Sequence, residues 1–280
     1  MERFELLNLK YLVSGYKGFL GRELVDELSK NLIPFVKFDY NQSVELEQIA
    51  DYSEDIFVHL ADPFSPEFSQ SRALEIEEEL TKILYEFGPR FIYVSSALVY
   101  CRGDRAPRKI IDPVCNTDTY TDLKIRREKI VSQAQGSILR VGNVYGSRMH
   151  PQSIIRKIFT SFLHYNQISQ ETNPTRDYIH ISDVLGLLLG LSTRGTLEEG
   201  IYNVGTEHGV AISEIYRKCA AHFDVDIHTL GTRFPDPIDS KDFLVLKVDS
   251  KNTYSWWRPT KDFETQIDIV FSEMKETLAK

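Results

Sequence analysis

Short apolar runs alternate with amphipathic stretches along the first half of the chain. Residues 11–13 predict a buried strand, and Leu20, Leu24 and Leu28 then share one face of a helix. Similar apolar runs predict further strands at 34–39, 56–60, 91–94 and 138–141. Strands that lack a polar face and alternate with helices are typical of a parallel sheet covered on both sides. The pattern therefore predicts an α/β fold built on a doubly wound parallel sheet.

The remaining periodic stretches predict four more helices. They lie at about 76–87, 118–135, 154–162 and 263–278. The second half is less regular than the first, and no repeat, low-complexity tract or Gly/Ser linker separates the two. We therefore expect two interleaved parts of one globule.

Composition restricts the classes of partner. The 280 residues carry 33 Lys and Arg against 41 Asp and Glu, which gives a net charge of −8. Such an acidic chain is not attracted as a whole to nucleic acid or to an anionic membrane. No apolar stretch reaches the ~18 residues of a membrane span, and acidic residues interrupt the start of the chain before any signal-like apolar run. We expect a soluble, cytoplasmic protein with no nucleic-acid or membrane partner.

The cysteines are few and scattered. Cys101, Cys115 and Cys219 are odd in number, and their spacing matches neither a disulfide framework nor a metal site. The sequence predicts no bound metal.

A glycine-rich turn joins the first predicted strand to the first predicted helix. Gly15, Gly18 and Gly21 form the pattern Gly-x-x-Gly-x-x-Gly. Glycine permits a tight turn and lets the backbone approach a pyrophosphate, whose charge meets the N–H groups at the start of the helix. Asp39 closes the second predicted strand, where a carboxylate can accept hydrogen bonds from an adenosine ribose. Together these features favour a dinucleotide cofactor.

The same two segments bear on which dinucleotide binds. Asp39 favours NAD, because a carboxylate repels the 2′-phosphate of NADP. Lys17 favours NADP, because a cation in the turn can meet that phosphate. The sequence predicts NAD or NADP, with a slight preference for NAD.

A serine, a tyrosine and a lysine are placed to share a site. Ser96 ends a predicted strand, and Tyr120 and Lys124 lie four residues apart on one face of the next helix. Tyrosine is a poor base because its reference pKa is about 10, but a nearby ammonium favours the phenolate. We predict that Ser96 holds a substrate oxygen and Tyr120 exchanges the proton. Lys124 supports that exchange and bonds the nicotinamide ribose.

With these motifs, the chain resembles the extended short-chain dehydrogenase/reductase family, also called the NAD-dependent epimerase/dehydratase family. Further segments are similar to family motifs, and these are His-Leu-Ala at 59–61, Leu-Arg-Val-Gly-Asn-Val-Tyr-Gly at 139–146, Arg-Asp-Tyr-Ile-His-Ile-Ser-Asp-Val at 176–184 and Tyr-Asn-Val-Gly at 202–205. Their order and spacing are more specific than any one of them.

The resemblance implies a Rossmann-like sheet domain, a smaller interleaved C-terminal domain and a homodimer. The NAD(P)-binding domain would comprise 1–145 plus about 178–205, and the substrate-binding domain about 146–177 and 206–280. The cofactor contacts it implies are Gly15, Lys17, Gly18, Phe19, Leu20, Gly21, Asp39, Leu60, Ala61, Tyr120 and Lys124.

Most relatives of this type act on nucleoside-diphosphate sugars. The resemblance places Asn143 and Arg176 near the nucleotide and diphosphate of the substrate, with Ser96 at the sugar. Arg233 resembles a second phosphate-binding arginine, although a surface salt bridge is an equal alternative for it. Two arginines suit diphosphate geometry.

The reaction itself remains open between related chemistries. Family dehydratases carry an Asp-Glu pair after the catalytic Ser or Thr, whereas Ala97 and Leu98 stand here. Only 16 residues, 40–55, separate the second strand from the next. A segment this short predicts that the cofactor is bound only weakly. Weak binding suits a reductase, because a reductase exchanges its cofactor at every turnover. We therefore expect reduction of a 4-keto sugar, with a 4-epimerase as the alternative. A non-catalytic nucleotide sensor and a reductase of a non-sugar ketone rank lower.

Overall fold

The fold was obtained as a computed structural model, which describes residues 10–38, 55–60, 84, 87–103, 105–164, 172–194, 198–226, 242–248 and 256–278.

A six-stranded parallel sheet forms the centre of the molecule, as the alternating pattern predicts. Its order is β2-β1-β3-β4-β5-β8, and every neighbouring pair is parallel. The strands are β1 Tyr11–Ser14, β2 Phe35–Phe38, β3 Ile56–His59, β4 Phe91–Ser96, β5 Ser137–Val141 and β8 Gly200–Val204. The order reverses between β1 and β3, because β2 lies on the other side of β1. Such a reversal opens a crevice at the carboxyl ends of the strands.

A second sheet lies beside the first. It has the order β10-β7-β6, and β9 pairs antiparallel with β7. Its strands are β6 Asn143–Tyr145, β7 Thr175–His180, β9 Gly209–Ala211 and β10 Phe243–Leu244. The chain passes from β5 to β6 through Gly142, where a Cβ atom would lie 2.8 Å from the carbonyl oxygen of Asp177. Glycine is therefore required at this crossing, which brings the two sheets into contact.

Six helices are described. They are α1 Phe19–Lys30, α2 Thr119–Gln133, α3 Ile154–Leu163, α4 Ile181–Arg194, α5 Ile212–Phe223 and α6 Phe263–Leu278. Of the helix predicted at 76–87, only Leu84 and Phe87 are described, and both are buried. Among the described residues, no helix is both long and apolar enough to cross a bilayer.

Both faces of the main sheet are buried. Tyr11 and Val13 point to a core that includes residues of α1 and α4, whereas Leu12 points to an opposite core with Phe57 and Val131. A third core joins α3, α5 and α6 behind the second sheet. The covered sheet confirms the doubly wound α/β fold class.

The cysteines correct one sequence expectation. Cys101 and Cys115 form a disulfide, with their Cα atoms 4.7 Å apart, and Cys219 is free and buried. The spacing argument was wrong here because it looked for a framework of several bridges. A single bridge that closes one 14-residue separation leaves no such pattern.

Candidate active site

A cleft of about 450 Å³ opens at the carboxyl ends of the central strands. Its walls come from the glycine turn, the ends of β4 and β5, and the first turns of α2. The cleft therefore lies where the reversed strand order of a parallel sheet leaves room for a ligand.

The glycine turn forms one wall, and each of its three glycines has a different place in the turn. Gly15 has a φ of 68°, which favours glycine. Gly18 precedes α1, and its N–H donates to the carbonyl oxygen of Gly15 over 3.0 Å. Gly21 packs against that turn so closely that a Cβ atom would lie 2.2 Å from the Gly15 oxygen. The backbone is thus exposed to the cleft at the start of a helix, which fits a dinucleotide diphosphate.

Substitution of Gly21 by alanine tests this packing. Alanine normally favours a helix, but here its methyl group collides with backbone atoms, so we expect the free energy of unfolding to fall by about 1–3 kcal/mol. Urea denaturation measures the change, and cofactor affinity falls with it. Gly186 is the matched control, since it is exposed in α4 and no atom lies within 4 Å of the place that a Cβ atom would take. Gly186→Ala should stabilise by up to about 1 kcal/mol. Equal effects of the two variants would contradict the close packing.

The end of β1 is fixed to the end of β3 beside this wall. Ser14 Oγ lies 2.9 Å from His59 Nδ1 and accepts from the Leu60 N–H over 3.2 Å. Burial lowers the pKa of His59 well below its ordinary value, with the charges of Arg127 and Lys124 acting in the same direction. His59 is therefore a neutral partner within the protein, and the pairing sets the position of Leu60 at the cleft.

Ser96, Tyr120 and Lys124 all line the same cleft. Ser96 ends β4, and its Oγ accepts from the Leu98 N–H over 3.2 Å. Lys124 Nζ lies 5.7 Å from the centre of the Tyr120 ring and donates to the carbonyl oxygen of Val94 over 2.7 Å. The structure thus brings together the three residues that the sequence singles out.

Burial is the largest influence on the pKa of Lys124. Desolvation lowers the pKa of Lys124, while the charges of Tyr120 and Glu128 act in the opposite direction. An ammonium in such a place interacts strongly with an anion that develops beside it, because little water screens it.

The first turn of α2 is fixed by its own cap. Asp118 accepts from the Thr121 N–H over 2.8 Å, and Thr121 Oγ1 accepts from the Asp118 N–H over 3.0 Å. Reciprocal bonds of this kind satisfy the N–H groups at the start of a helix. Because Tyr120 lies between the two capping residues, its backbone is held where the helix begins.

Sequence reasoning missed a buried ion pair beneath these residues. Glu128 accepts from Arg140 Nη2 over 2.7 Å and from Arg140 Nε over 3.1 Å, and it also accepts from Ser95 Oγ over 2.5 Å. It lies four residues after Lys124, so the spacing 120, 124, 128 could have indicated that all three share one helix face. The pair ties α2 to β4 and β5, the strands that end at the cleft.

The ion pair continues into a wider polar network. The Arg140 guanidinium lies 4.7 Å from the centre of the Tyr100 ring, and the Tyr100 hydroxyl donates to Asn203 over 2.7 Å. Asn203 in turn donates to the carbonyl oxygens of Arg108 and Lys247. This network joins the main sheet to the loop before α2 and to the segment after β10.

The proposed substrate residues lie in different settings. Asn143 lines the cleft and pairs in register with Tyr178. Arg176 is not among the residues that line it. Its side chain is buried, and Nη2 donates to Asp242 over 2.7 Å. Arg233 lies outside the described residues.

The proposed cofactor residues are mostly at the cleft. Besides the glycines, Phe19, Leu20 and Leu60 line it. Lys17 is exposed, with Nζ 5.4 Å from the centre of the Tyr16 ring. Asp39 and Ala61 lie outside the described residues. The described residues contain no group of three or more side chains suited to hold a metal ion.

Comparison with known proteins gives a consistent picture. A sequence model of the NAD-dependent epimerase/dehydratase family matches residues 11–205. A dTDP-4-dehydro-6-deoxyglucose reductase of Escherichia coli is 23% identical over 94% of this chain and 97% of that protein. A dTDP-D-glucose 4,6-dehydratase of Dictyostelium discoideum is 24% identical, and the match covers 76% of this chain but only 62% of that protein.

A solved structure supports the fold. MoeE5 in complex with UDP-glucuronic acid and NAD superposes with a TM-score of 0.79 at 18% identity, over 96% of this chain and 99% of that one.

Proposed function

Because the chain belongs to the NAD-dependent epimerase/dehydratase family, we propose that it is an NAD(P)-dependent oxidoreductase of nucleoside-diphosphate sugars that reduces a 4-keto sugar. The observation that carries this proposal is the presence of Ser96, Tyr120 and Lys124 on one cleft with the glycine turn. The full-length similarity to a reductase of a dTDP-linked keto sugar supports the choice of reaction.

The glycine turn would hold the cofactor. It leads into the start of α1, where the first N–H groups of a helix have no partner within the helix and suit a diphosphate, and Phe19, Leu20 and Leu60 extend the same wall. Bound there, the cofactor supplies the hydride for the reaction. We favour NAD because MoeE5, of similar fold, is solved with NAD.

Residues of this chain would bind the substrate oxygen and transfer the proton to it. Ser96 Oγ would donate to the carbonyl oxygen of the keto sugar. Tyr120 would give its phenolic proton to that oxygen as charge develops on it. The buried ammonium of Lys124 would stabilise the phenolate that remains, and solvent would return the proton.

The substrate nucleotide would lie against the second sheet. Asn143, which lines the cleft beside β7, would contact it. Arg176 would have to leave Asp242 to reach the diphosphate, and Arg233 stays a proposed second contact. Substrate binding by the C-terminal part and assembly as a homodimer remain predictions.

Dehydration is disfavoured although dehydratases are among the relatives. The two residues after Ser96 are Ala97, which is buried, and Leu98, which lines the cleft. Neither can exchange a proton at the sugar carbons, as loss of water requires. A 4-epimerase remains the alternative, because it uses the same proton and hydride transfers.

The stoichiometry of the cofactor separates reductase from epimerase. We expect a dTDP-linked or UDP-linked 4-keto-6-deoxy sugar to oxidise one NADH or NADPH per product, followed by absorbance at 340 nm. An epimerase would instead convert a UDP-sugar to its 4-epimer without net loss of reduced cofactor. Absence of both activities across UDP, GDP, CDP and dTDP sugars would contradict the proposed function.

A further inference from the structure

Along the chain, both cysteines of the disulfide lie between Ser96 and Tyr120. Cys101 follows Ser96 by five residues, and Cys115 precedes Tyr120 by five residues. Sequence reasoning left both cysteines without a role, and neither belongs to the cofactor or substrate contacts described above.

The disulfide lies beside a short antiparallel pairing of two backbone segments. Tyr100 and Val114 form an isolated antiparallel β-bridge. Beside it, the Cys101 N–H donates to the Pro113 oxygen over 3.0 Å, and the Cys115 N–H donates to the Val99 oxygen over 2.8 Å. The covalent bond therefore holds together two segments that already pair through their backbones.

Each paired segment leads directly to a catalytic side chain. On one side, the 3₁₀ turn Ala97–Val99 connects the bridge to Ser96, whose Oγ accepts from Leu98. On the other side, residues 116–118 connect Cys115 to the capped start of α2, which carries Tyr120. A displacement of one paired segment against the other would therefore change the distance between the serine and the tyrosine.

The loop closed by the bridge also contacts the C-terminal part of the chain. The Arg108 N–H donates to the Val245 oxygen over 2.7 Å, and the Lys247 N–H donates to the Arg108 oxygen over 2.7 Å. Arg102 lies 3.3 Å from Asp242, the residue that pairs with Arg176. The loop thus spans from the hydride-transfer site to the second sheet.

We propose that the Cys101–Cys115 disulfide is a positioning element of the active site, which holds Ser96 and Tyr120 at their working separation. Its effect on turnover rests on the proposed function. It acts through the backbone and does not touch the reacting atoms, so it affects the chemical step more than cofactor binding.

The bridge is open to chemical control. Both cysteines are partly exposed, so we expect a small dithiol to reach the disulfide. One dithiol delivers two electrons and two protons, which gives two protein thiols and the oxidised cyclic disulfide of the reagent. Turnover should fall as the bridge opens and return when a glutathione disulfide restores it.

The double variant Cys101→Ser/Cys115→Ser tests the proposal, with Cys219→Ala as the matched control. We expect the double variant to lower kcat about tenfold, with the KM of the reduced cofactor changed less than about twofold, because misplacement of reacting groups affects the chemical step. Dithiothreitol should lower kcat of the wild-type and Cys219→Ala proteins by the same factor and leave the double variant unchanged. A lowered melting temperature with unchanged kcat well below it would show a purely structural bridge and overturn the proposal.

A second measurement does not depend on turnover. Thiol titration of the denatured, oxidised wild type should find one free thiol, that of Cys219, whereas three would overturn the proposal. Hydrogen exchange should show lower protection at 96–101 and 113–124 in the double variant than in Cys219→Ala. Lower protection without any sugar turnover would contradict only the proposed function. Unchanged protection would contradict the positioning role.

Discussion

Replacement of Tyr120 by phenylalanine should lower kcat with a nucleotide-linked keto sugar by about 10³-fold, because general acid catalysis contributes about 10²–10⁴. We assign proton donation to the phenolic hydroxyl of Tyr120, and Tyr120 lines the cleft with Ser96 and Lys124. Phenylalanine keeps the ring and removes only the oxygen, so the packing of the ring in the wall of the cleft should be retained.

Cofactor binding should survive this substitution. The glycine turn and Leu60 supply most of the wall on which the dinucleotide would lie. The dissociation constant of NADH, measured by fluorescence, should therefore change less than the thousandfold expected of kcat. A parallel loss of cofactor affinity would indicate that the ring, and not the proton, explains the loss of activity.

Tyr202 provides the matched control for a tyrosine hydroxyl. It lies on β8, and its hydroxyl donates to the Glu198 oxygen over 2.9 Å, away from the residues that line the cleft. Tyr202→Phe should leave kcat within about twofold of wild type, because its hydroxyl bonds a backbone oxygen just before β8 and no residue of the cleft. Turnover of Tyr120→Phe within a few-fold of wild type would show that another group donates the proton.

Local patterns in the sequence were sufficient to predict the core of the fold. The apolar strands, the glycine turn and the Tyr-x-x-x-Lys spacing each depend on residues close in the chain, and the parallel sheet then brings strand ends together by geometry. Ser96 and Tyr120 meet at the cleft for that reason. The physical rule that ligands bind at the carboxyl ends of parallel strands converts two separate motifs into one site.

Contacts between distant side chains could not be predicted in the same way. Arg140 belongs to a recognisable motif, but nothing in its spacing shows that it pairs with Glu128. The partner of Arg176 is Asp242, 66 residues later, so the pairing depends on the final packing of the second sheet. The Cys101–Cys115 disulfide forms where the two ends of one loop pair with each other. Composition cannot predict that pairing.

Loss of the buried ion pair between α2 and β5 should strongly destabilise the fold. The side chains of Arg140 and Glu128 are only 5% and 7% exposed. Removal of one partner leaves the other as an uncompensated buried charge. We therefore expect Glu128→Ala to lower the free energy of unfolding by about 3–5 kcal/mol, measured by urea denaturation.

A pair on the exposed face of the same helix is the matched control. Arg126 Nη1 lies 3.8 Å from Asp122 Oδ2, and both side chains are more than a third exposed. Solvent and salt screen such a pair, so Asp122→Asn should change the free energy of unfolding by less than about 1 kcal/mol. Equal effects at Glu128 and Asp122 would show that the buried pair contributes no more than a surface pair.

Glu128→Gln separates charge from shape at the same position. Glutamine keeps the side-chain volume and one acceptor for Ser95 and Arg140, but it leaves the guanidinium without a counter-charge. Its destabilisation should therefore lie between those of Asp122→Asn and Glu128→Ala, because the amide still accepts a hydrogen bond but no longer offsets the charge of the buried guanidinium. If Glu128→Gln were as stable as wild type, the packing of α2 on β4 and β5, rather than the ionic contact, would hold Tyr120 and Lys124 beside Ser96.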